Sequence, residues 1–440
     1  MYLYGTQTIN EKGHLTIGGT DSVDLVKEYG TPLYVYDIQL FRERAKAFQK
    51  TFEEAGIGCQ VAYASKAFSS IAIYQVAAEE GLSLDVVSAG ELYTAIKAGF
   101  PKEKIHFHGN NKSREELRMA FEESIGCIVV DNFHEIGLLI ELSERLQQPM
   151  NILLRVTPGI EAHTHDYITT GQEDSKFGFD LMNGQADRAF HKVYQHRFLN
   201  LLGLHCHIGS QIFDTEAFRL AAEKLAGKMA EWKTQSGYTC PVLNLGGGFG
   251  IRYTEEDEPL EPSVYVRKMI ETVKETAEAL AFPIPEIWIE PGRSLIGDAG
   301  TTLYTIGSMK EVPGTRKYAA VDGGMSDNIR PALYGAKYSS ILANKANEPA
   351  EEPYTIAGKC CESGDKLIED AKLPKAEAGD ILGVFCTGAY GYSMASNYNR
   401  IARPAVVFAE NGEHQLAVRR ESLDDLIKQD LSYKQQVKQP

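Results

Sequence analysis

Short apolar runs alternate with amphipathic stretches over the first two thirds of the chain. The runs are "CQVAYASK" (59–66), "SLDVVS" (83–88), "IHFHG" (105–109), "CIVVD" (127–131), "NILLRV" (151–156), "LLGLHCHIG" (201–209), "VLNLGGG" (242–248) and "IWIEPGR" (287–293). Most are rich in Val, Ile and Leu with little polar alternation, the pattern of strands buried on both faces. Between them lie stretches of helical period, among them "SSIAIYQVAAEEG", "GELYTAIKAGF", "SREELRMAFEES", "FHEIGLLIELSERL" and "EAFRLAAEKLAGKMAEWK". Eight strands alternating with helices predict a (β/α)8 TIM barrel. A ninth run, "PLYVYD" (32–37), precedes an amphipathic helix with Phe41, Ala45, Phe48 and Phe52 on one face, and is assigned to a join with another domain.

Beyond about residue 300 the helical period fades and strands with turn signals take over: "TLYTIGSMKEV", "KYAAVDGG", "PYTIAGKC" and "GDILGVF". "AVVFAENGEHQLAV" is a hairpin whose Asn411-Gly412 pair suits a type I′ turn. The N-terminal stretches "LYGTQTI" and "HLTIGG" are also strand-like. The expected fold class is therefore α/β plus β. Residues 1–36 join a β domain, 37–300 form the barrel, and 301–440 form the mainly-β domain, built from both chain ends. The stretch 342–353 reads as an exposed loop.

Composition narrows the function classes. The 440 residues are 43% hydrophobic and 24% charged, ordinary for a globular protein. The net charge of -15 opposes binding to nucleic-acid phosphates. Seven cysteines without a CxxC pair suggest neither a disulfide framework nor a structural zinc site. The N-terminus lacks a basic segment followed by an apolar core, and no apolar run is long enough to span a bilayer. A reduced, cytoplasmic protein acting on a small molecule is expected, with no nucleic-acid, membrane or metal partner.

Barrel active sites lie at the C-terminal ends of the strands, and there the functional residue types collect. The runs end in or near Lys66, Asp85 and Ser88, His108 and Asn110, Arg155, His205, His207 and Ser210, Gly246, Gly247 and Gly248, and Glu290 and Arg293. Lys66 is either a lysine reaching solvent or, if partly buried, an amine able to attack an aldehyde. The glycine triplet is either a turn or a backbone cradle for a single phosphate, with Ser210 and the backbone near Gly209 helping. Its spacing matches neither the Walker A nor the dinucleotide pattern. Glu290 either pairs with Arg293 at the surface or points into the barrel mouth toward a protonated ring nitrogen. His205 and His207 share a strand face, so an HxH metal pair is possible. The further His and Asp ligands of barrel metallohydrolases are missing, and stacking of His207 on a flat cofactor ring is preferred. His205 then serves as a hydrogen-bonded structural residue.

In the β domain, "CCESGD" (360–365) is a reactive polar cluster or a turn with packed thiols. "TGAYGYSMASNYN" (387–399) reads as a binding loop, and "NIRPALYGA" offers Arg330 and Tyr334. The ordered set "LYVYD", "YASKAF", "HCHIGSQ", "LGGGFG", "EPGR", "DGGM", "RPALYGA", "CESGD" and "GAYGYSM" resembles the fold-type III pyridoxal-phosphate decarboxylases across nearly the whole chain. The resemblance implies pyridoxal 5'-phosphate carried by Lys66, with His207 stacked on its ring. Asp85, Ser210, Gly247, Gly248, Glu290, Gly292, Arg293 and Tyr390 would hold the cofactor. Arg293, Arg330, Tyr334, Glu362 and Tyr390 would contact an amino-acid substrate. Cys361 would donate the proton from the neighbouring chain of a homodimer with shared active sites. Within the family the resemblance favours meso-2,6-diaminopimelate, converted to L-lysine. Decarboxylation of ornithine or arginine and an amino-acid racemase are the alternatives, while the C-terminal β strands argue against a non-catalytic pyridoxal-phosphate carrier.

Overall fold

The computed structural model describes residues 2–160 and 175–433, which divide into two units, Met1–Gln39 with Ala299–Pro440 and Leu40–Asp298. The second unit is a closed parallel barrel. Its strands are β1 (Cys59–Ala64), β2 (Ser83–Val86), β3 (Ile105–Phe107), β4 (Cys127–Val130), β5 (Met150–Thr157), β6 (Leu199–His205), β7 (Val242–Asn244) and β8 (Glu286–Ile289). Each pairs in parallel with the next, and β8 returns to β1. All eight apolar runs of the sequence are thus barrel strands. Parallel neighbours need a crossover, and the helices between them supply it. Their starts follow side-chain capping: Ser88 and Ser113 each accept a hydrogen bond from a backbone N–H of the first turn. The helix Ile38–Ala55 buries Phe41, Phe48 and Phe52, with Phe48 packed 5.2 Å from Phe249. Two features escaped the sequence pattern, the short strand Phe179–Asp180 beside β5 and the helix Gln185–Val193 that follows it.

The period-two alternation of strands sorts the barrel lining into layers. Cys127, Val129, Leu153, Val242 and Trp288 form one apolar cluster. His106 of β3 stacks on Trp288 with ring centroids 4.6 Å apart. Its Nε2 donates to Gln60 Oε1 at 2.9 Å, and that oxygen also accepts from Ser83 Oγ at 2.7 Å. Above this layer, toward the strand C-termini, come Asp85, His108, His205, Asn244 and Glu290, all buried.

The other unit is a mainly antiparallel sheet drawn from both chain ends. Leu33–Asp37 pairs antiparallel with Gly300–Val312 and parallel with Ala405–Glu410. The sheet continues through Arg316–Val321, Glu352–Ala357 and Lys366–Leu373 on one side and Glu413–Val418 on the other. In the hairpin between Ala405–Glu410 and Glu413–Val418, Asn411 and Gly412 both take positive φ, 55° and 82°, as a type I′ turn requires. The expected loop 342–353 is shorter than its composition suggested. Leu342, Ala343 and Ala346 are buried, and Asn344 Nδ2 donates to Asp380 Oδ1 at 2.9 Å, so exposure is confined to 347–351 and Pro353.

Burial depresses the pKa of His106 to about 4, and a charged imidazole there would face Trp288 and an Nδ1 without a partner. The unfolded state therefore binds more protons between the ordinary value near 6.5 and about 4, so stability is lost as the pH falls through that window. The expected loss between pH 7 and pH 4 is about 3 kcal/mol. His106→Gln, which keeps a donor for Gln60, should remove that part of the acid sensitivity. Urea unfolding of both proteins at the two pH values checks this, and an equal loss in both sinks the idea.

Candidate active site

Glu290 lies just past the end of β8, and its backbone N–H donates to Gly246 O at 2.8 Å. Its side chain points into the barrel. Glu290 Oε1 accepts from Asn244 Nδ2 of β7 at 2.7 Å, and Oε2 lies 3.1 Å from Nε2 of His205 on β6. His108 Nε2, past the end of β3, lies 3.2 Å from Oε1. Strands β3 and β8 are not neighbours, so these contacts form only across the barrel interior. Asp85 of β2 lies 3.5 Å from the same His108 nitrogen, and its Oδ1 has no hydrogen-bond partner.

The charges in this layer sort themselves by partner. Burial and the Glu290 charge push the Asp85 carboxyl well above its ordinary range. Burial would raise Glu290 too, but His108 and His205 hold it well below the usual carboxylate range. Burial depresses His108 to about 3, so it is a neutral imidazole at neutral pH. Glu290 is thus an ionised carboxylate among hydrogen-bond donors, and the Arg155 guanidinium of β5 adds a favourable charge to Glu290, Asp85 and Asp131. Ligand atoms of His108, His205 and Glu290 lie within 4.8 Å of one another, close enough for a divalent ion as well as for a ring N–H.

The glycine turn sits beside this layer. A Cβ on Gly246 would fall 2.3 Å from Cys206 O, on Gly247 2.1 Å from Glu290 O, and on Gly248 2.5 Å from Gly209 O. Only glycine fits where three backbones approach so closely. Gly247 N–H donates to His207 Nδ1 at 3.2 Å. That bond makes Nδ1 the acceptor and leaves the proton of the neutral ring on Nε2. Burial, then the Lys66 charge, drive the His207 pKa well below the ordinary value. Arg293 Nη2 donates to Ser210 Oγ at 3.0 Å, and Nη1 donates to Tyr253 Oη. Arg293 therefore does not pair with Glu290. Gly292 precedes it, with room for a Cβ only 3.0 Å from Ala64 Cβ. Lys66 follows β1 and is exposed, as a lysine reaching solvent would be, and its charge acts on Asp85, Glu91 and His207.

In the β unit, Arg330 lies over the rings of Tyr334 and Tyr390, 5.3 and 5.5 Å from their centroids, and its Nε donates to Tyr338 Oη at 3.0 Å. Tyr390 has φ 61°, a strained setting for a bulky residue. Cys361 and Glu362 are exposed, while Cys360 is buried. Cys361 N–H donates to Asn399 Oδ1 at 2.7 Å. Asp365 anchors the loop, accepting from Met325 N at 2.7 Å and Cys360 N at 2.8 Å. Asn244, Glu91 and Tyr253 were not singled out in the sequence. Asn244 carried a signal, since it is the polar residue in "VLNLGGG"; Glu91 looked like a helix first-turn acid, yet it accepts from Ser65 Oγ at 2.7 Å.

A barrel with a polar layer at its strand C-termini is the setting of an enzyme site, and comparison with known proteins places it. The family described as "Pyridoxal-dependent decarboxylase, pyridoxal binding domain" matches residues 38–297. The chain is 66% identical over 439 residues to diaminopimelate decarboxylase of Bacillus subtilis, covering 100% of each. The crystal structure of diaminopimelate decarboxylase from M. jannaschii superposes with a TM-score of 0.90 at 36% identity, covering 98% of each chain, and a second structure of that protein is a complex with L-lysine. The chain belongs to the pyridoxal-dependent decarboxylases, among the diaminopimelate decarboxylases. Membership implies pyridoxal phosphate, and the residues fit it. Glu290 is an ionised acceptor suited to a protonated ring nitrogen, and the glycine turn has no space for side chains beside a backbone cradle.

Gly247→Ala forces a methyl group onto Glu290 O, and overpacking of this kind costs about 1–3 kcal/mol. Pyridoxal-phosphate affinity, followed by absorbance on reconstitution, should fall on the order of 10- to 100-fold. An unchanged affinity would remove the glycine turn from the cofactor site.

Proposed function

We propose that this chain decarboxylates meso-2,6-diaminopimelate to L-lysine and CO2 with pyridoxal phosphate. The observation that carries the reading is Glu290, a buried carboxylate held ionised inside a barrel rim that also carries Lys66, His207 and a glycine cradle. Identity to diaminopimelate decarboxylases over the full chain supports the substrate. A cytoplasmic location goes with it.

Bound pyridoxal phosphate supplies the electron sink for loss of CO2. The residues of this chain do the rest. Lys66 would hold the cofactor through its amine. Glu290 would keep a proton on the ring nitrogen, His207 would lie against the ring, and Asp85 is a further polar group of the rim. Ser210, Gly247, Gly248, Gly292 and Arg293 would hold the phosphate end. Diaminopimelate has a second carboxylate on a charged carbon, and Arg330, already braced by Tyr334 and Tyr390, suits it. Arg293 adds positive charge, and Glu362 suits the distal ammonium. The Cα–carboxylate bond breaks, CO2 leaves, and the Cys361 thiol returns a proton to the α-carbon.

We infer further that Cys361 acts on the site of a second copy in a homodimer. Its exposure in the single chain supports this.

The direct test is product analysis with diaminopimelate, ornithine and arginine. L-Lysine from diaminopimelate is expected, and a preference for ornithine or arginine overturns the substrate. Borohydride reduction followed by peptide mapping should label Lys66, and a label on another lysine refutes that assignment.

Lys66→Ala and Cys361→Ala should each be nearly inactive alone. Mixed and allowed to exchange, they should recover up to about a quarter of wild-type activity, because half the dimers are mixed and each has one good site of two. Demonstrated exchange without recovery places both residues in one chain's site.

A further inference from the structure

We propose that Asn244 is a positioning residue that ties the two ends of the cofactor site together. The inference rests on the functional reading above and deepens it. Asn244 is fully buried at the end of β7, between the glycine turn and Glu290. Its amide is used on both sides. Nδ2 donates to Glu290 Oε1 at 2.7 Å, and Oδ1 accepts from Gly246 N–H at 2.9 Å. One planar group therefore fixes the carboxylate meant for a ring nitrogen and, through Gly246 N–H, the start of the turn meant for a phosphate.

The two ends have few other links. The backbone of Glu290 donates to Gly246 O, which fixes the chain positions but not the carboxylate torsion. Of the groups around that carboxylate, His205 approaches Oε2, and His108 approaches Oε1 without a well-formed hydrogen bond. Asn244 is the donor that sets the orientation of Oε1. Orientation matters because a carboxylate rotated out of plane presents a poorer acceptor to a ring N–H. The turn matters in the same way. With Gly246 N–H committed to Asn244 and Gly247 N–H to His207, the turn is locked before any anion arrives. Locking lowers the ordering cost of binding.

Neither Gln nor Asp reproduces this. Gln is one methylene too long for a site with no free volume around the turn. Asp keeps an acceptor for Gly246 but places a second oxygen 2.7 Å from Glu290 Oε1, replacing attraction by repulsion. Leu has a similar shape and removes both bonds.

The test uses the full chain and two probes, pyridoxal 5'-phosphate and pyridoxal, which lacks the phosphate. Dissociation constants are measured for the wild type, Asn244→Asp and Asn244→Leu by absorbance titration, with the thermal stability of each cofactor-free protein recorded alongside. Asn244→Asp disturbs the ring end and should weaken both probes by a similar factor, on the order of 10-fold. Asn244→Leu also frees the turn, so it should weaken pyridoxal phosphate more than pyridoxal, on the order of 100-fold against 10-fold, a range usual for outer-layer positioning groups. A purely structural role lowers stability but leaves the ratio of the two constants at its wild-type value. That unchanged ratio in Asn244→Leu overturns the proposal. If Asn244→Leu does not fold, Asn244→Asp decides: wild-type affinity for both probes overturns it, and weakening of both supports it. If the wild type itself takes up no pyridoxal phosphate, the functional reading falls and this proposal falls with it. Normal uptake with an unchanged ratio removes Asn244 alone.

Discussion

Everything at the barrel rim answers to one unfavourable demand, an ionised carboxylate buried inside a closed barrel. An isolated charge there costs several kcal/mol or more, and proteins usually avoid the cost by protonating the group. Asp85 is pushed toward the protonated form, and Glu290 away from it. The difference is hydrogen bonding. Glu290 collects an amide donor from β7 and an imidazole from β6, with a second imidazole close by, while one Asp85 oxygen has no partner. Two carboxyl groups that share one histidine neighbour are thus pushed in opposite directions, Asp85 up by burial and the Glu290 charge, Glu290 down by its histidines. This is the usual route by which one site holds an acid and a base together.

The same demand explains the rigidity around it. A donor set of this kind works only if each member is fixed, and each is. His205 ends β6, Asn244 ends β7, and Glu290 and His108 directly follow β8 and β3. Strand ends in a closed barrel cannot move independently. The glycine turn then has to run through the remaining space, and a Cβ at any of its three positions would strike backbone. His207 gains its tautomer from that turn, since Gly247 N–H occupies Nδ1. Charge burial, turn chemistry and ring orientation are consequences of one packing arrangement.

Much of this was legible in the chain itself. Strand order and closure followed from eight Val/Ile/Leu-rich runs separated by helical period, because parallel strands buried on both faces have few alternatives. The hairpin at Asn411-Gly412 followed from turn chemistry. The rim residues emerged because barrel sites lie at strand C-termini. What escaped was partnership. Nothing in the sequence said that Glu290 would meet Asn244 and His205 and not Arg293, since those contacts cross the barrel and depend on its shear. Whether Lys66 would be partly buried or reach solvent was left open by the sequence, and in the turn after Ala64 it is exposed. The loop 342–353 misled through its composition, although Leu342 and Ala343 extend the packed sheet.

The β unit solves a different problem from the barrel. Arg330 and Tyr334 sit on a short helix, the other candidate groups sit on loops, and the loops carry strain. Tyr390, Asn399 and Arg400 all have positive φ, at a cost of order 1–3 kcal/mol each for residues other than glycine. Such settings persist only where neighbours hold them. Arg330 lies over Tyr390, Asn399 accepts from Cys361 N–H, and Arg400 donates to Leu426 O and Asp430 Oδ2. Asp365 closes the Cys361 loop against Gly324 and Gly358, where a side chain on either glycine would strike the carboxylate. The effort goes into holding an exposed thiol and an exposed carboxylate in fixed positions on the surface of a single chain. Every one of those contacts comes from within Ala299–Pro440, so the loop that carries Cys361 and Glu362 takes its shape from its own unit.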